Sequence, residues 1–251
     1  QLAAPGDFVT HAASGIPLLL TRSGTGLHAF VNICRHRSMK VERDVAGHAR
    51  ASFTCSLHGW TYDLEGRLTR PPDDAPLALL ETGKLGLVEL PVAEAFGLVW
   101  VVLDPKGALD PRAYVGALAP ELDALDLGAL RVAEAKPDLT LAYAWRQLVE
   151  VLLLCMRDAP VDAFGPHVRV GAVHGDPTTI LLFPSTTLTL DAGEVRVNQF
   201  FPAAMGKTKQ AHIRLVGPGS AGPCGPPTAA RLNPAAREAF ERALAAALEE
   251  A

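Results

Sequence analysis

Cysteine is scarce in this chain, with four in 251 residues, too few for the disulfide framework of a secreted scaffold. An excess of positive charge is missing as well. Lys and Arg number 23 against 27 Asp and Glu, a net charge of −4, so no basic stripe stands ready to neutralise phosphates and a nucleic-acid partner is not expected. Long hydrophobic runs are lacking. The longest, LVEVLLLCM and FGLVWVVL, are less than half of the roughly 20 residues that a membrane-spanning helix needs. No signal-peptide pattern follows Gln1, and there is no internal repeat. These absences predict a cytoplasmic protein with no membrane partner. What is plentiful is apolar side chain, 49% of the residues, enough at this length for one large core or two modest ones.

Turn signals divide the first hundred residues into short strand-like runs. GIPLLLTR, GLHAFVNI, ARASFTC, GRLTR and LGLVELPVAEAFGLVWVVL are separated by Gly, Pro and Asp, including Ser23-Gly24, Glu65-Gly66 and Pro71-Pro72, the pattern of a small all-β module. From Asp104 to about Pro137 the composition turns to Ala, Leu, Pro and Asp, read as a connecting segment with short helices. A helix-period run covers 143–157 and stops before Pro160. Three strand-like runs follow, TTILLFPSTTLTL, EVRVNQFF and AHIRLV, the first two joined at Asp191-Ala192-Gly193. After the Gly/Pro-rich stretch GPGSAGPCGPP, Asn233 and Pro234 announce a last helix as N-cap and first helical residue. The domains expected are 1–104, a connector 105–137, and 138–251.

The chemistry concentrates in Cys34-Arg35-His36 and, eighteen residues later, Cys55-Ser56-Leu57-His58. Two thiolates and two imidazoles on neighbouring β loops suit a tetrahedral structural zinc. They equally suit a Rieske 2Fe-2S cluster, with the cysteines on one iron and the histidines on the other. Spacing leaves both open. His11, His28 and His48 read as surface or turn residues, and Trp60 and Tyr62 as packing for the second loop. Arg35 and Arg37 have two readings, pairing with carboxylates to hold the loops or meeting an acidic electron donor.

The flanks, NICRHRSMKVE and FTCSLHGWTYDLEGRL with PGDF upstream, resemble the Rieske domain of the Rieske non-heme iron oxygenases, the large or alpha subunits of aromatic ring-hydroxylating dioxygenases. Ser56-Leu57 replaces the family's usual Pro-Tyr at positions that are not ligands. The resemblance implies one 2Fe-2S cluster held by Cys34, His36, Cys55 and His58. Met39 and Leu57 stand where high-potential Rieske proteins have an extra disulfide, which implies a potential near the low end of the Rieske range and a one-electron relay. The implied fold is α+β, an all-β Rieske domain followed by a truncated helix-plus-antiparallel-sheet (START/Bet v1-like) domain with a cavity.

In that second domain the family holds a mononuclear Fe(II) by two histidines and a carboxylate, leaving positions open for dioxygen. Ala144-Trp145-Arg146 and Val149-Glu150-Val151 match the helix that carries the histidines. The register then places Leu154 at the bridging carboxylate, Arg157 at the first histidine and Asp162 at the second. Arg cannot ligate, because its guanidinium stays protonated. Glu238 and Glu241 read as solvent-facing charges rather than the third ligand, and Cys155 and Cys224 as ordinary thiols. A site rebuilt from Asp158, Asp162, His167 or His174 is the minority reading, and an ion pair between Arg157 and Asp162 or Asp158 the structural one.

The expectation is an oxygenase-type subunit with its cluster intact and its mononuclear Fe(II) absent. Its partners would be a homologous catalytic subunit in a head-to-tail, trimer-based ring, and a ferredoxin or flavin reductase as electron donor. Two alternatives stand beside it. One is a self-sufficient hydroxylase or dioxygenase of an aromatic or other hydrophobic small molecule with unusual iron ligands; the other is a ligand-binding or redox-sensing protein.

Overall fold

The computed structural model describes residues 2–13, 15–48, 51–70, 84–141, 144, 160–171, 178–191, 193–203 and 207–217. The expected helices over 143–157 and from 234 onward lie outside these residues, as do the Gly/Pro-rich stretch from 218 and Leu154, Cys155, Arg157, Asp158, His174, Cys224, Glu238 and Glu241. Among the described residues no helix is long and apolar enough to cross a membrane. The chain divides into two compact units, 1–95 with 99–111 and 96–98 with 112–251.

The first unit is built of short strands: β1 (Phe8–Ala13), β2 (Ile16–Arg22), β3 (Leu27–Val31), β4 (Ala46–Gly47), β5 (Ser52–Thr54), β6 (Thr61–Asp63), β7 (Leu68–Arg70), β8 (Glu89–Leu90), β9 (Val92–Ala95) and β10 (Leu98–Val101). They form a five-stranded sheet in the order β4-β1-β2-β3-β8, a three-stranded sheet β5-β6-β7, and the hairpin β9-β10. Between β2 and β3 the turn Ser23-Gly24-Thr25-Gly26 closes with Ser23 N–H on the Gly26 carbonyl at 2.8 Å. Alternation then buries Leu19 and Phe30, which join Phe8, Phe53, Tyr62 and Leu68 in one core. Phe8 meets Phe53 edge to face, centroids 5.4 Å apart. Gly66, at φ +75°, could not be another residue, since a Cβ there would lie 2.4 Å from Phe30 Cε1. That close approach seats β3 against the β6–β7 turn, and β3 and β5 both run directly into the cysteine loops.

In the second unit, α1 (Pro111–Val115) and α2 (Ala119–Leu125) precede β11 (Arg131–Leu141), β12 (Val161–Phe164), β13 (His167–Val170), β14 (Thr178–Leu182), β15 (Thr186–Asp191), β16 (Glu194–Pro202) and β17 (Thr208–Val216). All seven strands make one antiparallel sheet, in the order β11-β17-β16-β15-β14-β13-β12. Register places Ile180, Leu188, Val197 and Ile213 on one face. Thr187, Asn198 and His212 lie on the other, bonded side by side: Asn198 Oδ1 accepts from His212 Nδ1 at 2.8 Å and from Gln210 Nε2 at 3.2 Å. Burial pulls the His212 imidazole below its usual range, against the pull of Glu134.

Three sequence expectations change here. β11 crosses the segment read as a connector, because Pro137 sits where the register slips between Lys136 and Leu139 on an edge strand, a place that needs no N–H donor. Residues 112–136 are counted with the second unit. The run from Thr178 is two strands rather than one, turning at Phe183-Pro184, and the four-residue pair β12 and β13 was too short for its alternation to register.

His167, considered above for a rebuilt metal site, is fully buried and both its ring nitrogens are committed. Nε2–H donates to the Tyr114 carbonyl at 2.9 Å and Nδ1 accepts from Phe183 N–H at 3.1 Å. Tyr114 packs edge-on, centroids 4.8 Å apart, and its hydroxyl donates to the Phe183 carbonyl at 2.9 Å. His167 therefore ties α1 to the β14–β15 turn. We expect His167→Ala to lower the unfolding free energy by about 2–4 kcal/mol, read by denaturant titration, since a fully buried ring would leave a cavity and two part-buried backbone groups would lose their partner.

Candidate metal centre

Two loops of nearly identical construction carry the four predicted donors. In the first, Cys34 N–H donates to the Met39 carbonyl at 2.7 Å and Ser38 N–H to the Cys34 carbonyl at 3.1 Å. In the second, Cys55 N–H donates to the Trp60 carbonyl at 2.7 Å and Gly59 N–H to the Cys55 carbonyl at 3.0 Å. Each chain thus folds back over six residues, and the fifth takes the left-handed region: Ser38 at φ +57° and Gly59 at φ +73°. Glycine enters that region freely, while serine does so only when its surroundings hold it there. Asn32 supplies part of that hold. Its Oδ1 accepts from Val41 N–H at 3.1 Å and Glu42 N–H at 3.0 Å, and its Nδ2 donates to the Glu42 carbonyl at 2.7 Å, all buried.

The loops sort their donors by depth. Cys34 and Cys55 are 2% and 3% exposed, whereas His36 and His58 stand at the surface. The imidazoles form one pair, centroids 4.5 Å apart, and Trp60 stacks flat on His36 at 5.1 Å. The thiols form the other pair, close enough that the Cys34 sulfur helps raise Cys55, although burial is the larger cause and the Leu57 and His58 amides oppose it. Tyr62, fully buried, donates its hydroxyl towards Cys34 Sγ at 3.4 Å and accepts from Arg35 N–H at 3.1 Å. Burial, then the Cys34 sulfur, drives its phenol well above the ordinary tyrosine range, so it stays a donor.

Among the described residues no three His, Cys, Asp or Glu side chains converge on a point where a single ion would sit. The two imidazoles lie together and the two thiols lie together, the pairing of like donors that a two-iron cluster uses, one pair to each iron. Amides and a phenol directed at the sulfurs are the surroundings that set such a cluster's potential. When bound, it would supply storage and release of one electron; Cys34, Cys55, His36 and His58 are the residues that would hold it. As a sequence, Tyr62 reads only as packing and Asn32 carries no role. The Tyr62 hydroxyl and the Asn32 clamp become visible only once the loops are folded together.

Of the positions that the resemblance assigns to the mononuclear iron site, Asp162 lies within the described residues. It is on β12, directly across from Arg169 on β13, whose guanidinium binds its carboxylate through Nε at 3.1 Å and through Nη2. The same guanidinium reaches Glu121 at 3.2 Å and lies 5.7 Å from the Phe164 ring centre.

The Rieske [2Fe-2S] domain model matches residues 1–83. The chain is 37% identical over 118 residues to the chlorobenzene dioxygenase subunit alpha of Cupriavidus sp. (strain PS12), covering 46% of this chain and 26% of that one. To the biphenyl 2,3-dioxygenase subunit alpha of Rhodococcus jostii (strain RHA1) it is 42% identical over 118 residues, covering 46% and 25%. It thus spans about a quarter of the length of these curated relatives. Among solved structures, a quaternary ammonium Rieske monooxygenase superposes with a TM-score of 0.79 at 20% identity, over 88% of this chain and 66% of that one. Naphthalene 1,2-dioxygenase from Rhodococcus sp. gives 0.72 at 20% identity, over 88% and 67%. At such identities the superpositions establish the fold.

Removing the Tyr62 hydroxyl tests the reading of the loops. We expect Tyr62→Phe to keep the cluster and to lower its midpoint potential, measured by EPR-monitored redox titration, by the worth of one hydrogen bond, about 1 kcal/mol or roughly 40 mV for one electron. The donor pairs, the two matched loops and the sequence relatives agree: residues 1–83 are a Rieske [2Fe-2S] domain, and the chain that carries it is a homologue of the alpha subunits of aromatic ring-hydroxylating dioxygenases.

Proposed function

We propose that this chain is an electron-carrying subunit of a Rieske-type oxygenase, with Cys34 and Cys55 holding one iron of its cluster, His36 and His58 the other, and no working mononuclear iron site of its own. The observation that carries the first half is the separation of buried thiols from surface imidazoles. An electron entering or leaving through the histidine side crosses little protein, while the sulfur side is kept from water, which would otherwise stabilise the more charged reduced state and hydrolyse the cluster.

Support for the second half comes from the catalytic-like unit. By register Leu154 and Arg157 replace a carboxylate and a histidine, and neither leucine nor arginine can donate to a metal. Asp162 is already bound by Arg169, and His167 has no nitrogen left to offer. Oxygen chemistry would then fall to a homologous catalytic subunit, arranged head to tail so that this cluster feeds the neighbour's iron. That several sequence relatives are themselves described as subunits of dioxygenases is in keeping with such an assembly.

Iron and acid-labile sulfide per chain, measured with the EPR spectrum of the dithionite-reduced protein, test both halves at once. The reading expects two irons, two sulfides and a Rieske signal. A third iron together with substrate-dependent oxygen uptake by the purified chain would overturn the second half in favour of a self-sufficient hydroxylase. Stoichiometric zinc in a colourless protein would overturn the first.

A further inference from the structure

Two polar atoms on the sheet of the second unit are left over from an otherwise complete network. Register sets Thr189, Arg196 and Arg214 in one row across β15, β16 and β17, and Thr187, Asn198 and His212 in the next. The helices α1 and α2 meet the opposite face, where Tyr114 holds His167 and Glu121 holds Arg169. A polar face turned away from its helices is ordinarily the solvent face of an antiparallel sheet. This one is not open to solvent in that way. Thr179, Thr187, Leu181 and Phe200, all on it, are buried, and the Arg196 and Arg214 side chains are only 14% and 12% exposed.

Charge on this face cancels pair by pair. Arg196 Nη2 donates to Asp191 at 2.8 Å, Arg214 Nη1 to Glu194 at 2.9 Å, and Lys136 Nζ to Glu134 at 2.8 Å. The Thr179 and Thr189 hydroxyls bond each other at 3.3 Å. Asn198 is the hub of the next row. Its Oδ1 accepts from both His212 Nδ1 and Gln210 Nε2, and its Nδ2 reaches Thr187 Oγ1 at 3.4 Å. With the proton fixed on Nδ1, His212 Nε2 is a bare lone pair, and no partner meets it among the described residues. Burial holds this imidazole neutral against the pull of Glu134, and Lys136, Arg196 and Arg214 add to the effect. The second remaining atom is Arg196 Nε, buried and without a hydrogen-bond partner among the described residues.

An enclosed donor or acceptor without a partner is costly, and few native proteins keep one without a use. Here an acceptor and a donor stand open on diagonal neighbours of adjacent strands, on the order of 7 Å apart along the backbone. A molecule that carries a hydroxyl supplies both missing partners, a proton for Nε2 and an oxygen for Nε–H. Phe200 and Leu181, on the same face, receive an apolar body. The balanced ion pairs leave no net field to favour a charged one.

We propose that this sheet face binds a neutral, hydroxyl-bearing small molecule with an apolar body, its O–H donating to His212 Nε2 and its oxygen accepting from Arg196 Nε. Asn198 is the positioning residue, because it fixes the tautomer that leaves Nε2 as acceptor. The proposal goes beyond the electron-carrying reading and does not rest on it. It needs neither cluster nor metal, so the iron and sulfide counts leave it standing whatever they show.

The test compares phenol with toluene, which has a methyl in place of the hydroxyl, as ligands of the full, cluster-loaded chain in its oxidised state. Calorimetry should show phenol binding about tenfold or more tightly than toluene, since the site's open polar atoms reject the analogue that cannot pair with them. In the 15N spectrum of histidine-labelled protein, phenol should move the His212 Nε2 signal and leave the other histidines in place. His212→Phe is expected to lower phenol binding to the level of toluene. Arg196→Lys, which keeps a cation for Asp191 and removes Nε–H, should weaken phenol about threefold or more and leave toluene unchanged. Asn198→Ala should show mixed His212 tautomers before any ligand is added, the signature of a positioning role.

Equal affinity for the two probes, binding of neither, or a His212 signal that stays put at saturating phenol overturns the proposal. Benzoate binding more tightly than phenol overturns the assignment of a neutral ligand. If His212→Phe fails to fold, the probe comparison, the His212 signal and Arg196→Lys decide in the same way.

Discussion

Two sulfurs must leave water while two imidazoles, only two or three residues further along each loop, must stay in it. That requirement organises the first unit. Satisfying it takes loops that reverse direction within six residues, which is why each is pinned by the same two backbone bonds and why each passes through the left-handed region at its fifth residue. Strands feed both loops from one core, so the loops are located by packing rather than by their own stiffness. Phe8, Phe30, Phe53 and Tyr62 are all at most 1% exposed, and together they are the floor on which Cys34 and Cys55 rest.

Tyr62 joins floor and site. Its ring is core and its hydroxyl is addressed to a sulfur, so one side chain both seats the first loop, through the Arg35 amide, and sets the electrostatics of Cys34. Trp60 does the corresponding work at the surface by covering a face of His36. Its buried indole nitrogen has no hydrogen-bond partner among the described residues, a cost set against the flat packing of the ring on the imidazole.

Much of this was legible beforehand, and the reasons divide by range. Cys34, His36, Cys55 and His58 are read from spacing and flanks because loop chemistry is local. The strands of the first unit declare themselves through Gly and Pro punctuation. By contrast, Ser38 in the left-handed region leaves no mark in the sequence, since nothing about serine announces it, whereas Gly59 does. Pro137 misled because its usual meaning, the end of an element, reverses on an edge strand with a register slip. His167 drew notice as a metal-ligand type, yet its neighbours in space, Tyr114 and Phe183, are far from it in sequence, and only they reveal a structural role.

Asp162 illustrates how a residue that a resemblance assigns to a functional position can have a complete explanation of another kind. Among the described residues β12 is the last strand of its sheet, and an edge strand exposes unpaired backbone that invites another chain. A charged residue there guards the edge. The carboxylate sits in register with Arg169, the guanidinium is shared with Glu121 from α2 and lies by the Phe164 ring, and the acidic neighbours hold the Arg169 guanidinium firmly protonated, Asp162 first among them. To bind a cation in its place, Asp162 would have to surrender that partner and leave Arg169 with Glu121 alone. A carboxylate stands where the resemblance places a ligating histidine, and its local chemistry is that of an edge-strand ion pair, which is what the proposed loss of the mononuclear centre requires of it.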